Sequence, residues 1–139
     1  MVHINKGDSL ISMLLLSWLL LPLQAAGQDF DNIEIITNHV KDNIYYLEGS
    51  GGNIGVIVGN DGVLIVDNQF APLSNKIEAA ITDLSELSVT FAVNSHFHYD
   101  HTDGNENFGK AGAFIVAQEN ARRRMESTQV LATGRAQER

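Results

Sequence analysis

The chain has 139 residues, a formal net charge of −8 and a pI near 4.9, with 44% hydrophobic and 19% charged residues. That is the composition of one ordinary globular domain, and its acidity argues against a nucleic-acid partner, which requires clustered Lys and Arg. The absence of cysteine excludes disulfides, thiolate catalysis and Cys-based zinc sites, so any metal must be held by His, Asp or Glu.

Residues 1–27 have the features of a secretory signal peptide. Lys6 precedes the apolar run LISMLLLSWLLLPL (Leu10 to Leu23), and the small residues Ala25-Ala26-Gly27 follow it. The run is shorter than the roughly 20 residues of a membrane span. Cleavage is expected after Gly27, with Ala25 or Ala26 as alternatives; an uncleaved anchor is the competing reading. Both put the mature domain, residues 28–139, outside the cytoplasm, secreted or periplasmic, with no stable membrane partner.

The mature chain opens with β-rich segments at Ile33 to Val40 and Asn43 to Glu48, joined at Lys41-Asp42. Ser50-Gly51-Gly52 is expected to be a flexible break. Asn53 to Gly59 and Val63 to Asp67 are strands around Asn60-Asp61-Gly62, a hairpin turn signal because Asp-Gly tolerates positive φ. After Pro72 the period changes: Leu73, Ile77, Ala80, Ile81 and Leu84 recur at helical spacing. Val89 to Val93 is an apolar strand expected to be buried on both faces. A short helix is expected around Gly104 to Gly109, a second buried strand at Ala113 to Ala117, and a helix from Gln118 to Met125. The tail after it shows no pattern and no closing strand. Arg122-Arg123-Arg124 is expected to be a solvated helix face. The order implies a mixed α/β sheet with helices packed on it.

The stretch NSHFHYDHTDG, Asn94 to Gly104, holds three of the five histidines. It follows a buried strand, where α/β sheets place their active sites. If the backbone stays extended, His96 and His98 point the same way and can converge on one ion. Asp100 and His101 are adjacent, so a turn would aim them at a second point nearby. Imidazole with carboxylate and no sulfur suits zinc and related first-row divalent ions. A zinc-bound water has a pKa of about 7, and Asp100 can both ligate the second metal and orient that nucleophile. The competing reading is a fortuitous loop cluster. His39 is expected to be an ordinary strand or turn residue, and Phe97 and Tyr99 to serve packing. No role at the site is expected for His3, Trp18, Glu119, Glu126 or Glu138.

His96-Phe97-His98-Tyr99-Asp100-His101, together with the hairpin NIGVIVGNDGVLIVD upstream, resembles the metallo-β-lactamase superfamily over roughly Ile33 to Ala117. The resemblance implies an αββα sandwich of which the first half is present. It implies His96 and His98 on the first metal, Asp100 and His101 on the second, and two Zn²⁺ ions per complete domain. Asp67 looks like the family's buried aspartate that supports the metal loop; alternatively it is a turn residue or one that opens the following helix. Gly104 and Asn105 look like the turn after the motif. The implied activity is hydrolysis of a small molecule, with metal-bound hydroxide attacking an amide, lactam, ester or thioester. The secretory signal favours a lactamase-like enzyme over a cytosolic thioesterase, and the acidic charge weighs against the nuclease branch. The family pattern needs further histidines and a bridging carboxylate, and no histidine follows His101. The expectation is therefore a truncated domain: a catalytically incompetent fragment holding at most one metal weakly, and marginal, sticky or dimeric on its own.

Overall fold

The computed structural model describes residues 29–137; the expected signal peptide, residues 1–27, lies outside them. Six strands form one mixed sheet in chain order: β1 (Ile36–Lys41), β2 (Ile44–Glu48), β3 (Ile54–Val58), β4 (Val63–Val66), β5 (Val89–Asn94) and β6 (Phe114–Ala117). The first four form an antiparallel meander, and β4–β5 and β5–β6 pair in parallel. The hairpin between β3 and β4 closes where Asp61-Gly62 predicts it, with Gly62 at φ 144° and Gly59 N–H donating to Gly62 O at 2.9 Å. Parallel pairing needs a crossover. One is supplied by a 3-10 turn, Ala71–Leu73, running into α1 (Ser74–Thr82).

One face of the sheet is covered. Leu47, Ile54, Val56, Val63, Ile65 and Ala92 point into a core completed by Leu73, Ile77 and Ile81 of the crossover and by Phe108. Phe108 belongs to α3 (Asn105–Lys110), which follows a single helical turn, α2 (Tyr99–Thr102). The alternation of strand side chains sends the next residues to the opposite face. There the pairing register aligns Ile44, Ile57, Leu64, Phe91 and Phe114 in one row across five strands.

This corrects the expected burial of β5 and β6. Phe91 is 42% exposed, Phe114 66% and Val116 43%. Their apolar runs are those of strands covered on both faces, but among the described residues helices cover only one. The tail is also more ordered than its sequence suggests. After α4 (Glu119–Met125), β7 (Gln129–Val130) and β8 (Ala136–Gln137) form a two-stranded hairpin. Other features are as expected. His39 lies on β1, with Nε2 3.0 Å from Asp42 O. On α4, Arg122 and Arg123 pair with Glu119, while Arg124 lies 5.0 Å over the Phe97 ring.

Candidate metal centre

The site forms where β4 and β5, running in parallel, end side by side. Asp67 N–H donates to Val93 O at 2.9 Å, the last rung between them. The chain then turns through two non-glycine residues with positive φ, Asp67 at 67° and Gln69 at 52°. Such conformations cost about 1–3 kcal/mol each and persist where their surroundings impose them. Here the turn swings the Asp67 carboxylate, 5% exposed, under the start of the histidine motif.

That carboxylate organises the site. Its Oδ1 accepts from Ser95 N–H at 2.7 Å, and its Oδ2 accepts from Ser95 Oγ at 2.7 Å. The same Oδ2 lies 2.8 Å from His101 Nδ1. Since Asp67 can only accept, His101 carries a proton on Nδ1 and turns Nε2 toward Asp100. The Ser95 hydroxyl spends its proton on Asp67, so it accepts from His96 Nδ1 at 3.0 Å. His96 is thereby left with an unprotonated Nε2, which faces His98. One buried carboxylate sets the tautomer of two histidines, directly and through Ser95.

Both Nε2 atoms meet side chains of the motif. His96 Nε2 accepts from His98 Nδ1 at 3.2 Å, and His101 Nε2 lies 3.3 Å from Asp100 Oδ2. The His96 and His101 rings are 4.1 Å apart between centroids, so the two pairs are neighbours. Two donors held at about 2.0–2.1 Å by a tetrahedral ion are roughly 3.3 Å apart, so each pair has the span of two ligands on one zinc-sized ion. Among the described residues, Asp67, His96 and His101 also form a group whose ligand atoms lie within 4.8 Å of one another. The His96 pKa is lowered, first by burial and then by the neighbouring His101 and His98, which favours the neutral imidazole that metals require.

The backbone differs from the extended continuation expected of the motif. It bends after Asn94, and His98 sits in extended conformation (φ −68°, ψ 147°) as the N-cap of α2. Thr102 Oγ1 donates to His98 O at 3.0 Å and fixes this turn. His96 and His98 therefore meet through a bend rather than through strand alternation. Asn105, expected at the turn, bridges elements: its Oδ1 accepts from Asn68 Nδ2 at 2.6 Å and Asn94 Nδ2 at 2.9 Å.

Four further residues contribute that were not expected at the site. Ser95 is an unremarked residue beside the motif. Gln137, on β8, accepts from Tyr99 N–H at 3.1 Å and donates to Phe97 O at 2.8 Å, pinning the motif backbone from the tail. Gly51 and Gly52, expected to be flexible, pack on the site: a Cβ on Gly51 would lie 2.7 Å from Asp100 Cβ, and one on Gly52 would fall on the His101 ring.

The sequence profile of the metallo-beta-lactamase superfamily matches residues 47–138. A histidine–aspartate centre at the end of a parallel strand in a mixed α/β sheet is the class of site found here, and the chain belongs to that superfamily. It is similar to BJP-1, a subclass B3 metallo-beta-lactamase of Bradyrhizobium japonicum, at 28% identity over 61% of this chain and 33% of that one, with a TM-score of 0.55. MIM-1 from Novosphingobium pentaromativorans is 26% identical over 63% of this chain and 33% of that one (TM-score 0.56). FIM-1 from Pseudomonas aeruginosa, crystallised in a mono-zinc form, shares the fold at 16% identity over 72% of this chain and 48% of that one (TM-score 0.62). The chain thus spans between a third and a half of these structures. No curated protein matches the sequence.

Proposed function

We propose that this chain carries the first ligand half of a zinc-dependent hydrolase acting on a small molecule with an amide, lactam, ester or thioester bond. The observation that carries this reading is the approach of metal-ligand side chains in two pairs, His96 to His98 and Asp100 to His101, at 3.2 and 3.3 Å. The donor set suits zinc: imidazole and carboxylate, no sulfur, and a His96 whose Nε2 is unprotonated. His96 and His98 would hold one ion, Asp100 and His101 a second. When bound, the metal supplies an activated water at neutral pH and polarises the bond to be cleaved.

The chain's own groups do the rest. Asp67 acts as an orienting group rather than a ligand, because its Oδ2 is already engaged by His101 and Ser95. The Asp100 carboxylate is 39% exposed and faces a cleft of about 520 Å³ lined also by Phe70, Tyr99, Leu131 and Arg135. From there it is placed to accept the proton of an attacking water and aim it at a substrate in the cleft. Residues 1–27 support a secreted or periplasmic location.

A second reading is favoured by the bare sheet face. Phe91, Phe114 and Val116 stand exposed where a further layer would cover them, and the chain spans only 33–48% of the matched structures. By itself, then, the chain is a catalytically incompetent piece that holds at most one ion weakly. The test is to express the longest reading frame containing this chain and measure zinc stoichiometry together with hydrolysis of a chromogenic cephalosporin, an ester and a thioester. Two ions per chain with turnover of one of these substrates supports the hydrolase. Full zinc loading with no turnover of any would sink the hydrolytic assignment.

A further inference from the structure

We propose that Gln69 is a positioning residue for the metal centre: its side-chain amide straps the glycine loop 49–52 against His101 and thereby fixes the plane of that ring. The inference rests on the proposed role of His101 as a ligand.

The geometry separates two tasks. The hydrogen bond from His101 Nδ1 to Asp67 fixes one point of the ring and its tautomer. It does not fix the ring's rotation about that point, and the direction of the Nε2 lone pair depends on both. The second constraint comes from the opposite side. Gly52 lies so close to His101 that any side chain there would occupy the ring's own space, and a Cβ on Gly51, at φ 89°, would lie 2.7 Å from Asp100 Cβ. The loop backbone is therefore a wall against the two residues of the second ligand pair.

Gln69 holds that wall in place. It is 0% exposed, and both ends of its amide are committed to the loop. Oε1 accepts from Ser50 N–H at 3.1 Å, and Nε2 donates to Gly52 O. Gly49 leaves room for this approach, since a Cβ there would lie 2.6 Å from Gln69 Oε1. The Gln69 carbonyl meanwhile accepts from Gly104 N–H at 3.1 Å, just past the motif. One residue thus joins the loop before the motif to the turn after it. Its left-handed backbone, unusual for glutamine, is kept where it delivers the amide to the loop.

The probe is Co²⁺, titrated into the full chain, its Gln69→Met variant and its Gly52→Ala variant. Affinity and the visible d–d spectrum are recorded, with thermal unfolding of each metal-free protein as the control. Gln69→Met keeps the length and removes both hydrogen bonds; Gly52→Ala pushes directly on the ring. Both are expected to bind Co²⁺ about tenfold or more weakly, the scale seen when a ligand loses its orienting partner, with a changed d–d spectrum. Wild-type affinity and spectrum in both variants would overturn the proposal while leaving the metal centre standing. No saturable Co²⁺ binding by the wild-type chain would instead overturn the metal-centre reading, and this one with it. Should Gln69→Met fail to fold, Gly52→Ala decides: an unchanged affinity and spectrum there refute the strap.

Discussion

Replacing Asp67 with Asn tests the logic of the centre without changing its shape. The Asp67 carboxylate accepts three hydrogen bonds: Ser95 N–H at 2.7 Å, Ser95 Oγ at 2.7 Å and His101 Nδ1 at 2.8 Å. An Asn placed with its oxygen toward Ser95 N–H keeps the first. Its NH₂ then faces Ser95 Oγ, which can rotate to accept, and His101 Nδ1, which cannot go on donating. His101 must move its proton to Nε2, the atom left for the metal, or abandon the contact. A hydrogen bond to a charged group contributes about 1.5–3 kcal/mol, and 1.4 kcal/mol is about tenfold in an equilibrium constant. Zinc affinity is therefore expected to fall about 10- to 100-fold, the range found for groups that orient metal ligands. The assay is competition against a chromogenic chelator, with urea unfolding of the metal-free protein run alongside. Wild-type zinc affinity in a folded Asp67→Asn protein would refute the tautomer argument.

Further consequences concern the ligand pairs, the bare face and the surface. In the longest expressible form of the protein, Asp100→Asn should lose most turnover yet retain the ion of the His96–His98 pair, whereas His98→Ala should lose that ion; metal analysis of each purified variant distinguishes them. Phe91 and Phe114, whose rings pair at 5.7 Å on the exposed sheet face, should drive self-association of the isolated chain. A Phe91→Ser/Phe114→Ser protein should then sediment as a smaller species than wild type, and identical sedimentation counts against the uncovered face. Glu119 is held down to about 2 from an ordinary 4.5, chiefly by hydrogen bonds from Arg122 and Arg123. A depressed carboxylate pKa means stability present above pH 4.5 and lost as pH falls through 2. An NMR titration of the Glu119 carboxyl should show its midpoint near the lower value, and a midpoint at the ordinary one would remove the helix-surface network.

Much of this arrangement is legible in local pattern. Asp61-Gly62 marks its hairpin because the turn needs a positive φ that Gly62 supplies. Leu73, Ile77 and Ile81 mark the covered face of α1 because helical spacing brings them to one side. The histidine motif is visible because only two of the five histidines lie elsewhere in the chain. What stays hidden depends on contacts distant in sequence. Gln69 reaches Ser50 and Gly52, and Gln137 reaches Phe97, and no periodicity connects these pairs; Asp67, which reaches His101, is legible only through the family resemblance. Gly51 and Gly52 show the ambiguity most plainly: glycine marks both a loop free to move and a backbone with no room to do so. For β5 and β6 the apolar runs record the burial that the strands are built for, while the described residues cover one face.

The most direct test of the central claim is zinc titration by calorimetry of the purified chain and of a His96→Ala/His101→Ala variant. His96 and His101, at the end of β5, are held by Asp67 directly or through Ser95, with their Nε2 atoms turned toward His98 and Asp100. The wild-type chain is expected to bind one ion saturably and to lose it to a mild chelator, and the variant to bind none. Absence of binding by the wild type, or equal binding by the variant, would contradict that claim.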